Sequence, residues 1–202
     1  HLSSNWKDYP LMPITLGILA QARQAVGPTF ELLESTVLGS AQASVEFTNL
    51  VTKYAATYQH LQIRTVVRTA RNSTVDSLRM QVNGVTSTSY RSHYLRGFNS
   101  SLGSFDDGAS SGMFLYDVSG NTDVSGGFAP AVIDLLDPFE GTKNLTVRAL
   151  GGWLGSAERD VIFSSGLFTS TTAISSIKLY SQAGSNLSQF SRFSLYGIKA
   201  TA

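Results

Sequence analysis

The feature that most constrains the fold is a succession of short apolar runs, separated by glycine, asparagine, aspartate and serine. Such runs, rich in β-branched residues, are typical of sandwiches and barrels. The dipeptide Asn83-Gly84 suits a tight hairpin turn because both residues tolerate positive φ. No strand–helix alternation is present, which argues against a parallel α/β fold. The sequence predicts an all-β, antiparallel, jelly-roll-like sandwich with strands at 30–38, 43–48, 60–69, 77–83, 88–95, 112–118, 126–136, 143–150, 160–169, 174–180 and 190–198.

The last of these strands is apolar on both faces. Side chains alternate along a strand, so Phe193 and Leu195 lie on one face while Tyr196 and Ile198 lie on the other. A strand of this kind is typical of a covered position rather than an exposed platform. We expect one face in the core and the other against another sheet or a neighbouring subunit.

Residues 1–28 differ in texture from the remainder of the chain. Leu16, Leu19 and Ala20 fall at helical spacing, and Gly27-Pro28 supplies a stop signal. We interpret this segment as a short helical or extended anchor that is too small to fold alone. Residues 29–202 then form the sandwich domain.

The composition restricts the partners of the protein. Charged residues make up 14% of the chain, against roughly 25% in ordinary globular proteins, so neutral polar residues must cover much of its surface. The net charge of +1 supplies no global field for nucleic acid. Cysteine is absent, which excludes disulfides and thiolate metal sites. No apolar run is long enough to span a bilayer, so we expect no membrane insertion. The low net charge leads us to expect no nucleic-acid partner either.

The charges form two blocks along the chain. Residues 60–100 contain six arginines and one acid, Asp76, whereas residues 101–142 contain seven acids and no lysine or arginine. One interpretation is that the blocks lie on neighbouring strands, or across a subunit boundary, and neutralise each other. The other is a basic face, including Arg64 and Arg68, that grips the carboxylates or phosphates of an anionic glycan.

Two further groups of residues are candidates for binding. Four oxygen-bearing side chains at alternate positions could bind a calcium ion, namely Asp117, Ser119, Asn121 and Asp123. The glycine and the distal glutamate of a calcium-binding loop are missing, however. An Asx-rich turn gives the same pattern. Trp153 follows two glycines, and could present its indole to a sugar or belong to the core. Tyr94 belongs to an aromatic cluster with the same two interpretations. No nucleophile, base and orienting group come together, so we expect no enzyme and no cofactor.

The chain resembles a known family over about residues 30–200. The motifs that carry the likeness are "HLQIR", "VNG" and the terminal block "IKLYSQAGSN…FSLYGIK". They are similar to a β-sandwich module of tailed-bacteriophage virion proteins, often found at the C-terminal end of tail-fibre-like or other particle-attached proteins. The resemblance implies a non-enzymatic structural or attachment role, often as a homotrimer, on the capsid or tail surface of the virion.

The resemblance and the residues together lead to one expectation of function. We expect a virion structural protein, a fibre or a receptor-binding module that recognises a host glycan and is anchored to other virion proteins through residues 1–28. The candidate glycan contacts are Trp153, Arg64, Arg68 and Tyr94. The alternative is a purely architectural capsid fibre, decoration protein or tail subunit that binds no receptor.

Overall fold

A computed structural model describes residues 29–156 and 158–199 of the chain. The predicted N-terminal anchor at 1–28 lies outside the described residues. Within them the chain forms twelve strands and one short helix. In chain order these are β1 Phe30–Val37, β2 Ser44–Thr48, α1 Leu50–Tyr54, β3 His60–Val67, β4 Val75–Val82, β5 Tyr90–Phe98, β6 Ser101–Asp106, β7 Met113–Ser119, β8 Ala129–Leu136, β9 Leu145–Leu154, β10 Arg159–Phe168, β11 Ser176–Ser181 and β12 Arg192–Ile198.

The strands form two antiparallel sheets that pack face to face. The large sheet has the order β1-β12-β3-β8-β9-β10-β5-β6, and the small sheet has the order β2-β11-β4-β7. The edge strand β7 of the small sheet lies against β9 and β10 of the large one. The prediction of an all-β antiparallel sandwich is therefore confirmed.

Two elements were not predicted. Strand β6 is mostly exposed, and it is held at the edge of the large sheet by backbone pairing with β5 and by the stacking of Phe105 on Tyr94. The helix α1 has five residues and buries only Leu50. Neither element carries the apolar periodicity from which strands and helices are read in a sequence. All eleven candidate strands do correspond to strands of the structure.

The centre of the core is the contact between β7 and the large sheet. Every residue of β7 is buried. The Tyr116 ring packs over Gly151 of β9, and its hydroxyl lies 2.7 Å from the Thr65 hydroxyl of β3. A Cβ atom at position 151 would lie 2.6 Å from the Tyr116 ring. The glycine therefore gives the ring the room it needs against the sheet.

The last strand, β12, lies between β1 and β3. Phe193 and Leu195 are fully buried in the core, as their face of the strand predicted. On the other face Tyr196 stacks on Phe30 with ring centroids 4.8 Å apart, and the Arg64 guanidinium lies 5.1 Å from the Tyr196 ring. The strand is thus covered on both sides. However, its outer face is covered by neighbours in the same sheet and not by a second sheet.

We predict that Gly151→Ala destabilises the protein by about 1–3 kcal/mol, because the new methyl group overpacks the site beneath the Tyr116 ring. Gly39→Ala is the matched control, since a Cβ atom there meets nothing within 4 Å. Urea unfolding of both variants measures the effect. Equal stability of the two variants would contradict this account of the core.

Candidate functional site

The outer face of the large sheet carries an unusual apolar surface. A sheet covered on one side normally places polar residues on the other. Here Leu95, Phe163, Leu150 and Val132 pair directly across four neighbouring strands, and each is between 37% and 56% exposed. Further exposed or surface-lining apolar residues extend this row. We define the apolar face as Val66, Leu95, Leu102, Pro130, Val132, Leu150, Leu154, Val161 and Phe163.

Two adjoining grooves run through the apolar face. The larger has a volume of about 750 Å³ and is bounded by residues that include Val66, Val132 and Leu154. The smaller, of about 530 Å³, is bounded by residues that include Leu102. Both are lined by Gly97, whose lack of a side chain lowers the floor between the apolar ridges. The apolar face is therefore grooved and not flat.

A row of polar residues crosses five strands next to the apolar face. It follows the register of the sheet from β5 to β3 and consists of His93, Ser165, Arg148, Asp134 and Gln62. Gln62 Nε2 donates a hydrogen bond to the Asp134 carboxylate at 2.8 Å. A contiguous apolar surface with a polar rim is the usual mark of an interaction site in a protein.

Arg68 does not point toward a ligand. Its side chain is buried, and its guanidinium donates to four backbone carbonyl oxygens in the loop after β7, with nitrogen–oxygen distances of 2.7–3.1 Å; these belong to Asn121, Asp123, Val124 and Gly127. The guanidinium is thereby committed to holding this loop. The predicted glycan contact at this residue is not supported, because a surface carboxylate could not displace those bonds without opening the loop.

The structure does not bring the four calcium candidates together. The Asp117 carboxylate accepts from the Ser77 hydroxyl at 2.6 Å, and the Asp123 carboxylate accepts from the backbone N–H of Ser156 at 3.0 Å. Ser119 is buried, whereas Asn121 is exposed. Within residues 29–156 and 158–199, no three histidine, cysteine or acidic side chains are grouped to hold a metal ion. The positive charge next to this loop is instead the Arg68 guanidinium, which donates to its carbonyl oxygens.

The other predicted glycan contacts lie apart from one another. Trp153 faces the interior of the sandwich and is only 3% exposed, which fits the core interpretation and leaves its indole out of reach of a surface sugar. Tyr94 is half-buried between Phe105 and Phe114, with ring centroids 5.1 and 4.3 Å away. Arg64 is exposed on the outer face and stacks on aromatic rings of the same sheet. These residues do not form a single site.

The two charge blocks pair with each other, as the first interpretation predicted. The Arg79 guanidinium lies 2.6 Å from the Asp107 carboxylate. Arg96 contacts Asp117 at 3.2 Å and also Asp160, an acid outside the block, at 2.7 Å. These arginines are turned toward the protein and not toward an external anion. Together with Arg68, three of the six arginines of the basic block are therefore turned inward, and the alternative of a basic binding face loses half of its members.

The Arg96 cluster is buried at one end of the sandwich. Asp117 and Asp160 are 8% and 3% exposed, and both contact the same guanidinium. Burial raises the pKa of Asp117 to about 6, because the charged carboxylate loses its hydration and Asp160 adds a repulsive charge. Arg96 lowers that pKa only in part. The cluster is therefore a pH-sensitive structural element.

Sequence reasoning missed the apolar face. The signal was present in strands such as "DVIFSSGLF" and "LTVRALGGWL", in which apolar residues occur on both faces as they do in the last strand. No protein-family model matches the chain, and neither a curated protein nor a solved structure matches it. In the part of the chain that the structure describes, no helix has the length and apolar character needed to cross a membrane.

We predict that Arg68→Ala lowers the free energy of unfolding by about 2–4 kcal/mol, since it removes several charge-assisted hydrogen bonds at once. Arg68→Lys should recover only part of the loss, because an ammonium cannot reproduce the planar fork. Arg91→Ala, a change at an exposed arginine of β5, serves as the control. Urea unfolding and hydrogen exchange in the loop 120–127 measure the effect. Unchanged loop protection in Arg68→Ala would contradict the role of Arg68.

We predict that Asp117 makes the protein more stable at pH 5 than at pH 7. The folded-state pKa of about 6 exceeds the unfolded value, so the folded protein binds the extra proton between these limits and stability falls as the pH rises. The difference should be about 1 kcal/mol. Urea unfolding of the wild type and Asp117→Asn at both pH values isolates this contribution from the titration of histidines. An identical pH dependence in the two proteins would refute it.

Proposed function

We propose that this protein is a non-enzymatic structural component of a tailed-bacteriophage particle, and that it assembles with further copies of itself through the apolar face. The observation that carries the proposal is the exposure of two neighbouring apolar rows on the outside of the large sheet. The resemblance of the sequence to a virion β-sandwich module supports a location on a phage particle. The face supplies a physical means of assembly.

The size of the apolar face supports an interface between proteins. Eight of its nine residues are between 37% and 92% exposed. With roughly 150 Å² for each large apolar side chain, they expose on the order of 700 Å² together. The largest patch on a typical monomer is about 300–600 Å², whereas a stable interface buries about 800 Å² on each partner. Covering this face would therefore supply most of a standard interface.

The shape of the face favours a second copy of the chain as its occupant. Leu102 and Leu154 are 92% and 75% exposed, so they protrude from the same surface that contains the two grooves. A surface with both ridges and grooves can be complementary to another part of the same surface on an identical subunit, so one kind of chain suffices to cover it. Removing these side chains from water on both subunits would stabilise the assembly.

The remaining expectations from the sequence are compatible with this mode of assembly. In a homotrimer, which the resemblance implies, the interfaces are heterologous, so one part of this face would contact a different part of the neighbouring subunit. Residues 1–28 are proposed to bind other virion proteins, and the location is the tail or capsid surface. Placement of the chain on purified particles by electron microscopy tests this part, and its absence from such particles would overturn the proposed location.

We predict that the double variant Leu150→Thr and Phe163→Thr weakens self-association at least tenfold, because it removes apolar area from the centre of the face. Threonine is β-branched and therefore suits a strand. The matched control is Val51→Thr with Val124→Thr, which changes exposed apolar residues that are not part of the apolar face. Sedimentation velocity over a range of concentrations measures the association. A wild type that stays monomeric throughout, or a double variant that associates equally well, would contradict the proposal.

A further inference from the structure

A second surface feature lies at the end of the sandwich where β8 ends and β3 begins. It is a cleft of about 490 Å³ between residues 55–59, which connect α1 to β3, and the loop that follows β8. Leu136, the last residue of β8, is four residues from Val132 of the apolar face. That spacing corresponds to about 13 Å along the strand. The cleft is thus separate from the surface proposed for self-assembly.

The Asp137 carboxylate is held in a fixed position within this cleft. Gln59 Nε2 donates to its Oδ1 at 2.9 Å, and Lys143 Nζ donates to its Oδ2 at 2.5 Å. The hydrogen bond from Lys143 lowers the pKa of Asp137, so the carboxylate stays ionised at neutral pH. The backbone of Asp137 has a φ of 48°, and its N–H donates to His60 Nδ1 at 3.0 Å. Two loops therefore fix one carboxylate through both its side chain and its backbone.

The groups around Asp137 can still bind a ligand. A carboxylate accepts about four hydrogen bonds, an ammonium group donates three and a primary amide donates two, so each has capacity beyond the bonds already made. Acceptors and donors thus stand next to each other where the hydrogen bond from Gln59 to Asp137 joins the two sides of the cleft. Neighbouring hydroxyl groups of a sugar, each of which can donate and accept, match such an arrangement.

The rest of the cleft supplies an apolar surface. Tyr58 and Phe139 are half-buried and line it together with Ala55 and Ala56. Apolar and polar side chains thus share the lining of the cleft. The C–H face of a pyranose ring can lie on the apolar side chains while its hydroxyls reach the polar groups around Asp137.

The charge of the cleft restricts the class of sugar. Asp137 and Glu140 carry negative charge, and Lys143, which is paired with Asp137, carries the positive charge. The balance is net negative, so the carboxylate of a uronic or sialic acid would be repelled. We propose that this cleft binds a neutral saccharide unit of a larger glycan. The site gives the protein an attachment function in addition to its structural one.

The test compares glycan binding of the full chain and its variants. Glycan-array screening, followed by saturation-transfer NMR, uses neutral oligosaccharides of glucose, galactose, mannose and N-acetylglucosamine, with sialylated and uronate-containing oligosaccharides as the anionic set. We expect binding to a member of the neutral set and none to the anionic set. Asp137→Asn, which retains a residue tolerant of positive φ, and Lys143→Met should each weaken binding at least tenfold.

Asp106→Asn is the matched control, since it removes an exposed carboxylate at the end of β6, outside the cleft. It should leave binding unchanged, and sedimentation velocity should show the same association state in all three variants. Failure of every neutral oligosaccharide to bind, binding of the anionic set alone, or full binding by Asp137→Asn and Lys143→Met would each overturn the inference. Loss of self-association in the apolar-face variants bears only on the proposed assembly, so the two proposals fail separately.

Discussion

The fold depends on one contact, the packing of β7, an edge strand of the small sheet, against the large sheet. Tyr116 brings a large ring against Gly151, and its hydroxyl reaches Thr65 on another strand of the large sheet. A buried hydroxyl must find such a partner, so this bond also sets the position of β7 along the sheet. Because every residue of β7 is buried, the two sheets share one continuous core. The large sheet is thereby covered on one side only.

The consequence is an outer face whose apolar residues have no second sheet to cover them. The small sheet has four strands and the large one has eight, and the small sheet covers only the inner face of the large one. Leu150 and Phe163 on the outer face are as apolar as the core residues next to them in the chain, yet they remain about half exposed. The proposed assembly with identical copies would cover this face, and the cleft around Asp137 lies outside the residues that define it.

The arginines illustrate how charge is used inside the fold. Arg68 holds the loop after β7, because its planar donors match several carbonyl oxygens at once. Arg96 holds two buried carboxylates that would otherwise repel each other. Arg79 joins β4 to the acidic loop at Asp107. The basic and acidic blocks of the sequence thus serve cohesion between distant segments, and a global binding field does not arise.

Strand positions could be read from the sequence because alternation and turn residues are local properties of the chain. All eleven candidate strands correspond to strands, while the edge strand β6 escaped notice because it lacks the alternation of apolar and polar residues. The partners of Arg68, Trp153 and Asp137 could not be read in the same way. Their neighbours come from segments far apart in the chain, so burial and hydrogen bonding depend on how the sheets pack. Periodicity indicates that a strand has two apolar faces, and only the packing of the sheets shows which of them meets water.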